Sequence, residues 1–161
     1  MQFRFHKRPT DSRIKGELNT VNPSILAAAL IRVFEDIRLT AYQDSGGVWT
    51  VGVGHTGPDL VAGMTITTDQ AAELFAKDAA PLFGLVTDEP LVAAAAYVSF
   101  GYNCGRSALE LLLDGKIKIA NPTAPDSIYG IHDRHGNILP GLVSRRALES
   151  ALIASVAPVT A

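Results

Sequence analysis

Two carboxylic acids and a hydroxyl, Glu35, Asp44 and Thr50, follow one another at spacings of nine and six residues. Glu35 comes after Phe34 at the end of an apolar periodicity, in the last turn of an expected helix. The negative end of the helix dipole and an apolar neighbour both disfavour an ionised carboxylate there. A carboxyl group that keeps its proton near neutral pH suits a general acid. Asp44 begins Asp44-Ser45-Gly46-Gly47, a turn open to water in which a carboxylate stays ionised. Two carboxyl groups in unlike environments are what hydrolysis of a glycosidic bond requires. Thr50 shares a strand face with Gly52, close to Gly54, and residues without side chains leave room there for a ligand or a water. Taken singly, either acid reads as a solvated surface group.

The elements that must hold these residues follow from local pattern. Asn22-Pro23 is a helix start, the Asn capping free N–H groups and the Pro suiting the first turn. Leu26, Leu30, Val33, Phe34 and Ile37 recur at helical spacing, which predicts an amphipathic helix from 23 to about 37. Leu39–Tyr42 and Val48–Val53 predict a strand pair joined by the glycine turn, with Trp49, Val51 and Val53 on one face. Thr67 with Gln70 forms a capping box for the next helix. Glu89–Phe100 reads as a helix apolar on most sides and so buried, and Arg106–Leu113 and Leu142–Val156 as two more. The intervening stretch, 115–141, is rich in Pro and Gly and reads as loop, with a small hairpin around His132–Asn137. Helix, small sheet, then mostly helices is an α+β order.

At 161 residues, 47% hydrophobic and 19% charged, the chain forms one domain or two small lobes sharing a core. The longest apolar runs, Ile25–Ile31 and Leu91–Val98, fall short of the ~20 residues that span a bilayer. The basic start, Arg4 to Arg8, runs into polar Thr10–Lys15, so no secretory leader is expected and the chain reads as soluble where it is made. A single cysteine, Cys104, excludes an internal disulfide and a multi-thiolate zinc site. Residues 1–20 carry +3 of a net charge of −2, leaving about −5 on the rest. An acidic body argues against nucleic acid as a partner.

The segment from Phe34 to Gly57 resembles the active-site motif of the phage endolysin lysozymes, glycoside hydrolase family 24 (phage-type muramidases). Glu35, Asp44, Thr50 and Gly52-Val53-Gly54-His55 match that motif's spacing. Val98-Ser99-Phe100-Gly101-Tyr102-Asn103-Cys104-Gly105 and Leu139-Pro140-Gly141-Leu142-Val143-Ser144-Arg145-Arg146 resemble two further elements of the family, so that the likeness covers roughly residues 23–155. It implies a two-lobed lysozyme-like fold, with a β-hairpin lobe over about 35–65, a helical lobe over about 66–161 and an active-site cleft between them. Residues 21–161 would form the catalytic domain, preceded by a basic arm.

The resemblance further implies Glu35 as the acid that protonates the β-1,4 glycosidic oxygen between N-acetylmuramic acid and N-acetylglucosamine. Asp44 and Thr50 would hold and activate water. No metal or cofactor is implied. The enzyme would be a monomeric endolysin acting on peptidoglycan glycan strands, with no stable membrane insertion. It would stay in the host cytoplasm until a separate holin opens the membrane, and then lyse the host from the periplasm. The chain departs from the family in its acidic body, in the Pro-rich stretch with Tyr129 before Leu139, and in lacking the apolar anchor of some tethered relatives. Three rivals remain: a lytic transglycosylase, a chitin-type glycosidase on the same fold, and a non-catalytic wall-binding module.

Other residues admit two uses. His55 orients Glu35 or binds a sugar of the substrate, or packs against the hairpin through a structural hydrogen bond. Asn103 binds an acetamido group, or satisfies backbone at a helix end. Arg145 and Arg146 meet a carboxylate of the glycan peptide, or pair with acids across the helical lobe. Cys104 reads as a small core residue and Trp49 as packing. His132-Asp133-Arg134-His135 reads as a solvated turn and not a metal site, having no third ligand in view.

Residues 1–20 should not contribute to the cleft. Their deletion is expected to leave hydrolysis of soluble glycan fragments unchanged and to reduce lysis of permeabilised cells at low salt only. Added salt should erase that difference, since the screening length falls to ~8 Å at physiological ionic strength. A loss of fragment hydrolysis on deletion would show that the arm packs on the lobes.

Overall fold

The computed structural model describes residues 23–44, 46–120, 128–133 and 135–156. The basic arm, Asn22, Ser45 and Arg134 lie outside the described residues. The order is α1 (Pro23–Arg32), β1 (Arg38–Gln43), β2 (Trp49–Gly52), β3 (His55–Thr56), α2 (Thr68–Phe83), α3 (Leu91–Cys104), α4 (Arg106–Leu113) and α5 (Pro140–Ser155). No described helix is long and apolar enough to cross a membrane.

Helix α1 buries Ala27, Leu30 and Ile31 but ends at Arg32, short of the expected 37. The amides of Phe34 and Glu35 both turn back to the Ile31 carbonyl at 2.9 Å. This tight closure places Glu35 in the turn after the helix and not within it. The apolar period at Val33, Phe34 and Ile37 continues past the helix because Phe34 and Ile37 remain half-buried in the turn.

The small sheet is antiparallel, in the order β1-β2-β3, with Tyr42 opposite Thr50 and Val51 opposite His55. The strand expected to run through Val53 stops at Gly52. Gly52 and Gly54 have φ of +67° and +97°, values that favour glycine, and they fold the chain into a third strand. The pair reading therefore becomes a three-stranded sheet. Ala41 and Val51 pack with Leu60, Ile66 and Ala71 in a small core beneath it.

The larger core joins Ala27 and Ile31 of α1, Phe75 and Ala79 of α2, Val98 and Phe100 of α3 and Leu109 of α4. Helix α3 is the centre of this lobe, buried at Ala93–Ala96 and Val98–Gly101 and packed against α1, α2, α4 and α5. Fully burying a side chain such as Phe100 or Leu109 contributes ~1.5–3 kcal/mol. Helix α2 supplies Ala71 to the small core and Phe75 to the large one, and so bridges the lobes. The chain thus has the α+β class that its element order predicts and the two-lobed organisation that the family resemblance implies. In the long loop, a His132–Ile138 bridge closes the small hairpin expected there.

The capping box at α2 is present in full. Gln70 N donates to Thr67 Oγ1 at 3.2 Å, and Thr67 N donates to Gln70 Oε1 at 2.8 Å. Thr67→Ala is expected to lower the free energy of unfolding by about 1 kcal/mol, read by urea titration. An unchanged midpoint would mean that α2 is held by tertiary packing alone.

Candidate active site

The hairpin between β1 and β2 holds two of the three candidate residues by local hydrogen bonds. Asp44 Oδ1 accepts from the amides of Gly46 at 2.8 Å and Val48 at 2.9 Å. The Asp44 amide donates to the Val48 carbonyl at 3.0 Å, and Thr50 Oγ1 donates to the same carbonyl at 3.1 Å. Val48 therefore ties Asp44 and Thr50 together through both of its backbone groups. Gly47, at φ +78°, closes the turn onto the Asp44 carbonyl. Asp44 is exposed, whereas Thr50 is 4% exposed. With Oδ1 occupied by two amides, Oδ2 is the oxygen left for a water. With its hydrogen given to Val48, the Thr50 hydroxyl has only lone pairs left to offer.

Glu35 is held from the other end of the chain. Arg145 Nη1, on α5, donates to Glu35 Oε1 at 2.6 Å. The side chain of Arg145 is 2% exposed and that of Glu35 is 36% exposed, so the pair reaches from the core to the solvent edge. The guanidinium also lies 5.4 Å from the centre of the Phe34 ring. The predicted setting, an acid in the last turn of a helix beside Phe34, is corrected in its first part and gains a partner in its second. Glu35 lies beyond the helix, and its immediate partner is a cation. Local pattern holds no trace of a partner 110 residues away.

Behind Arg145 stands a buried polar cluster. Glu149 is fully buried, and its Oε1 accepts from Ser99 Oγ at 2.6 Å, Arg146 Nη2 at 2.9 Å and Arg145 Nε at 3.2 Å. Arg146 Nε lies 2.7 Å from Glu149 Oε2, an ion pair whose angle is off-line for a hydrogen bond. Arg145 Nη2 donates to the Ser99 carbonyl at 3.1 Å. Two guanidiniums thus face two carboxyl groups, those of Glu35 and Glu149. Both arginines pair with Glu149 of their own helix, the second of the two uses open to them, and Arg145 reaches beyond the helical lobe to Glu35 as well. Glu149 and Ser99 were missed by sequence reasoning. The available signal was a Glu three and four residues after paired arginines on a helix that must pack.

The remaining candidates are placed as follows. His55 is 7% exposed, and its Nδ1 lies 2.7 Å from Asp78 Oδ2 on α2. Its Nε2 is buried without a hydrogen-bond partner among the described residues. Asn103 is exposed at the end of α3, where its Oδ1 accepts from Cys104 Sγ at 3.7 Å. It lines an open cavity of about 580 Å³ together with Tyr129, His132 and Leu142. A second cavity, of about 410 Å³, lies between the sheet and the helices, with Gly54, Thr56, Asp78, Tyr102 and Arg106 in its walls. Burial raises the Tyr102 phenol far above its ordinary range, and Asp78 and Glu35 add to the rise. Trp49 is half-buried against the small core. Asp133 caps its own turn by accepting from the His135 and Asn137 amides, and hydrogen bonds from Asn137 hold its carboxyl below the usual range.

This arrangement of a three-stranded sheet, a bridging helix and a helical lobe is shared with endolysins of known structure. An endolysin from Escherichia coli O157:H7 phage FAHEc1 superposes with a TM-score of 0.65 at 26% identity, over 86% of this chain and 98% of that one. Among curated proteins, an endolysin of Acyrthosiphon pisum secondary endosymbiont phage 1 is 31% identical over 78% of this chain and 93% of its own. An endolysin of Bacillus phage PZA is 32% identical over 80% of this chain, which spans only 54% of that relative's length. The family model described as Phage lysozyme matches residues 32–149, and the chain belongs to that family. The matched span runs through Glu35, Asp44, Thr50 and Arg145 to Glu149.

Cys104 accepts a hydrogen bond from Arg146 Nη1 at 2.8 Å. Burial pushes its thiol up, and the guanidiniums offset that only in part. The native chain therefore keeps the thiol proton to higher pH than the unfolded chain does. On this account stability falls as pH rises above the ordinary thiol range. Iodoacetamide at pH 8.5 should alkylate Cys104 slowly in the folded protein and rapidly in urea. Equal rates would show an ionised, accessible thiol.

Proposed function

We propose that this protein is a muramidase that hydrolyses the β-1,4 bond between N-acetylmuramic acid and N-acetylglucosamine in bacterial peptidoglycan, and that it serves as an endolysin. The observation that carries the reading is the unlike setting of the two acids. Glu35 rests on the buried Arg145, while Asp44 and Thr50 are joined through Val48 on an exposed turn.

In this reading Arg145 occupies Glu35 Oε1, and Oε2 carries the proton. That proton passes to the glycosidic oxygen as its bond to the anomeric carbon breaks. A water then forms the new bond to that carbon. Asp44 Oδ2 takes one of its protons, and Thr50 Oγ1 accepts a hydrogen bond from the other. Glu35 ends ionised and Asp44 protonated, and exchange with solvent restores both. Water held by a group other than the acid itself leads to inversion at the anomeric carbon.

Asn103, exposed on the 580 Å³ cavity, binds an acetamido group of the glycan. His55, tied to Asp78, acts on substrate indirectly, by fixing β3 against α2. Residues 21–161 form the catalytic domain and 1–20 an appended basic arm. The protein acts as a monomer without metal or cofactor. It waits in the host cytoplasm, reaches the periplasm through a separate holin and lyses the cell from there.

The test is digestion of purified peptidoglycan with the new chain ends determined by mass spectrometry. Reducing N-acetylmuramic acid ends are expected. Anhydro ends would make the protein a transglycosylase, and no new ends would make it a binding module. Glu35→Gln should lower turnover ~10²–10⁴-fold while the circular dichroism spectrum is unchanged. Asp44→Asn and Thr50→Ala should lower kcat more than they raise KM. Wild-type turnover in Glu35→Gln would remove it as the acid.

A further inference from the structure

The buried carboxylate of Glu149 is not explained by packing. A buried ion cluster is costly to desolvate, and apolar residues of similar volume are often as stable. Here the one member of the cluster that reaches solvent is Glu35. The guanidinium of Arg145 is gripped on its inner side by Glu149 at Nε and by the Ser99 carbonyl at Nη2. A guanidinium is a rigid planar fork, so two fixed points set the direction of the third nitrogen. That third nitrogen, Nη1, holds Glu35 Oε1. Ser99 Oγ, donating to Glu149 Oε1 at 2.6 Å, locks the carboxylate that does the gripping.

We propose that Glu149 is a positioning residue for Glu35, acting through Arg145, and that it balances the charge Arg145 brings to the acid. The proposal rests on the reading of Glu35 as the general acid. The charged groups facing Glu149 are Arg145 and Arg146 from its own helix. From α3 the titratable neighbours of the cluster are Cys104 and Tyr102. Burial pushes both up, so they stay neutral around neutral pH. Loss of Glu149 therefore leaves surplus positive charge next to Glu35, and loss of Arg146 leaves surplus negative charge. The two variants should move the reaction's dependence on a protonated acid in opposite directions.

The experiment measures kcat, KM and the pH profile of kcat/KM on a soluble peptidoglycan glycan for Glu149→Gln, Arg146→Gln and Glu35→Gln, below the melting temperature of each. Glu149→Gln should lower kcat at least about tenfold with KM nearly unchanged, as expected for a misdirected acid. Its alkaline limb should move down by about half a pH unit or more, and that of Arg146→Gln should move up. A purely structural role would lower both curves in proportion to the folded fraction and leave the limbs in place, which would overturn the proposal. If Glu149→Gln does not fold, the limb of Arg146→Gln decides. An unmoved limb, or failure of both to fold, makes the cluster a core strut and refutes the proposal. Wild-type turnover in Glu35→Gln would instead refute the functional reading on which it rests.

Discussion

The ion pair between Glu35 and Arg145 is the contact that ties the candidate site to the packed interior of the helical lobe. It joins a turn near the start of the described chain to a helix near its end, at 2.6 Å and with the arginine out of reach of water. A guanidinium taken out of water is costly unless its hydrogens are met. Glu149 and Ser99 meet those on the inner side, and Glu35 accepts on the outer side. The placement of α5 that buries Arg145 against Glu149 and Ser99 also brings it to Glu35. The packing of α5 on α3 and the aim of the acid are therefore one constraint.

Helix α3 is the surface on which that constraint is laid out. Its small residues, Ala93–Ala96, allow close approach of its neighbours, and Gly101 leaves room for Leu109 and Leu82. A Cβ at Gly101 would meet Leu109 Cδ2 at 2.9 Å. The same helix then exposes Ser99, Tyr102, Asn103 and Cys104 in succession to the acid cluster and to the two open cavities. A nearly featureless apolar helix thus gains polar side chains over its last two turns.

The hairpin is organised on the opposite principle. Asp44 and Thr50 are held by hydrogen bonds that span at most four residues, made to Val48 and to the glycines of the turn. Such a unit needs little from the rest of the molecule beyond a floor, which Val51, Ile66 and Ala71 provide. The water-handling half of the proposed reaction is local, and the acid half is long-range.

That division explains what could be read in advance. The turn at Asp44, the capping box at Thr67, the buried character of α3 and the bounds of α4 each follow from interactions between residues close in the chain, and all were legible in the sequence. So was the spacing of Glu35, Asp44 and Thr50. The early end of α1 was not, nor was the third strand, which depends on left-handed backbone at both Gly52 and Gly54. His55 meeting Asp78 and Arg145 meeting Glu35 lay beyond local pattern as well. Composition identifies residues able to form such pairs, but burial decides which charge must find which partner. Water satisfies an exposed arginine anywhere on a surface. Only the packed interior, by excluding water from Arg145 and Glu149, determines that Nη1 of Arg145 meets Glu35.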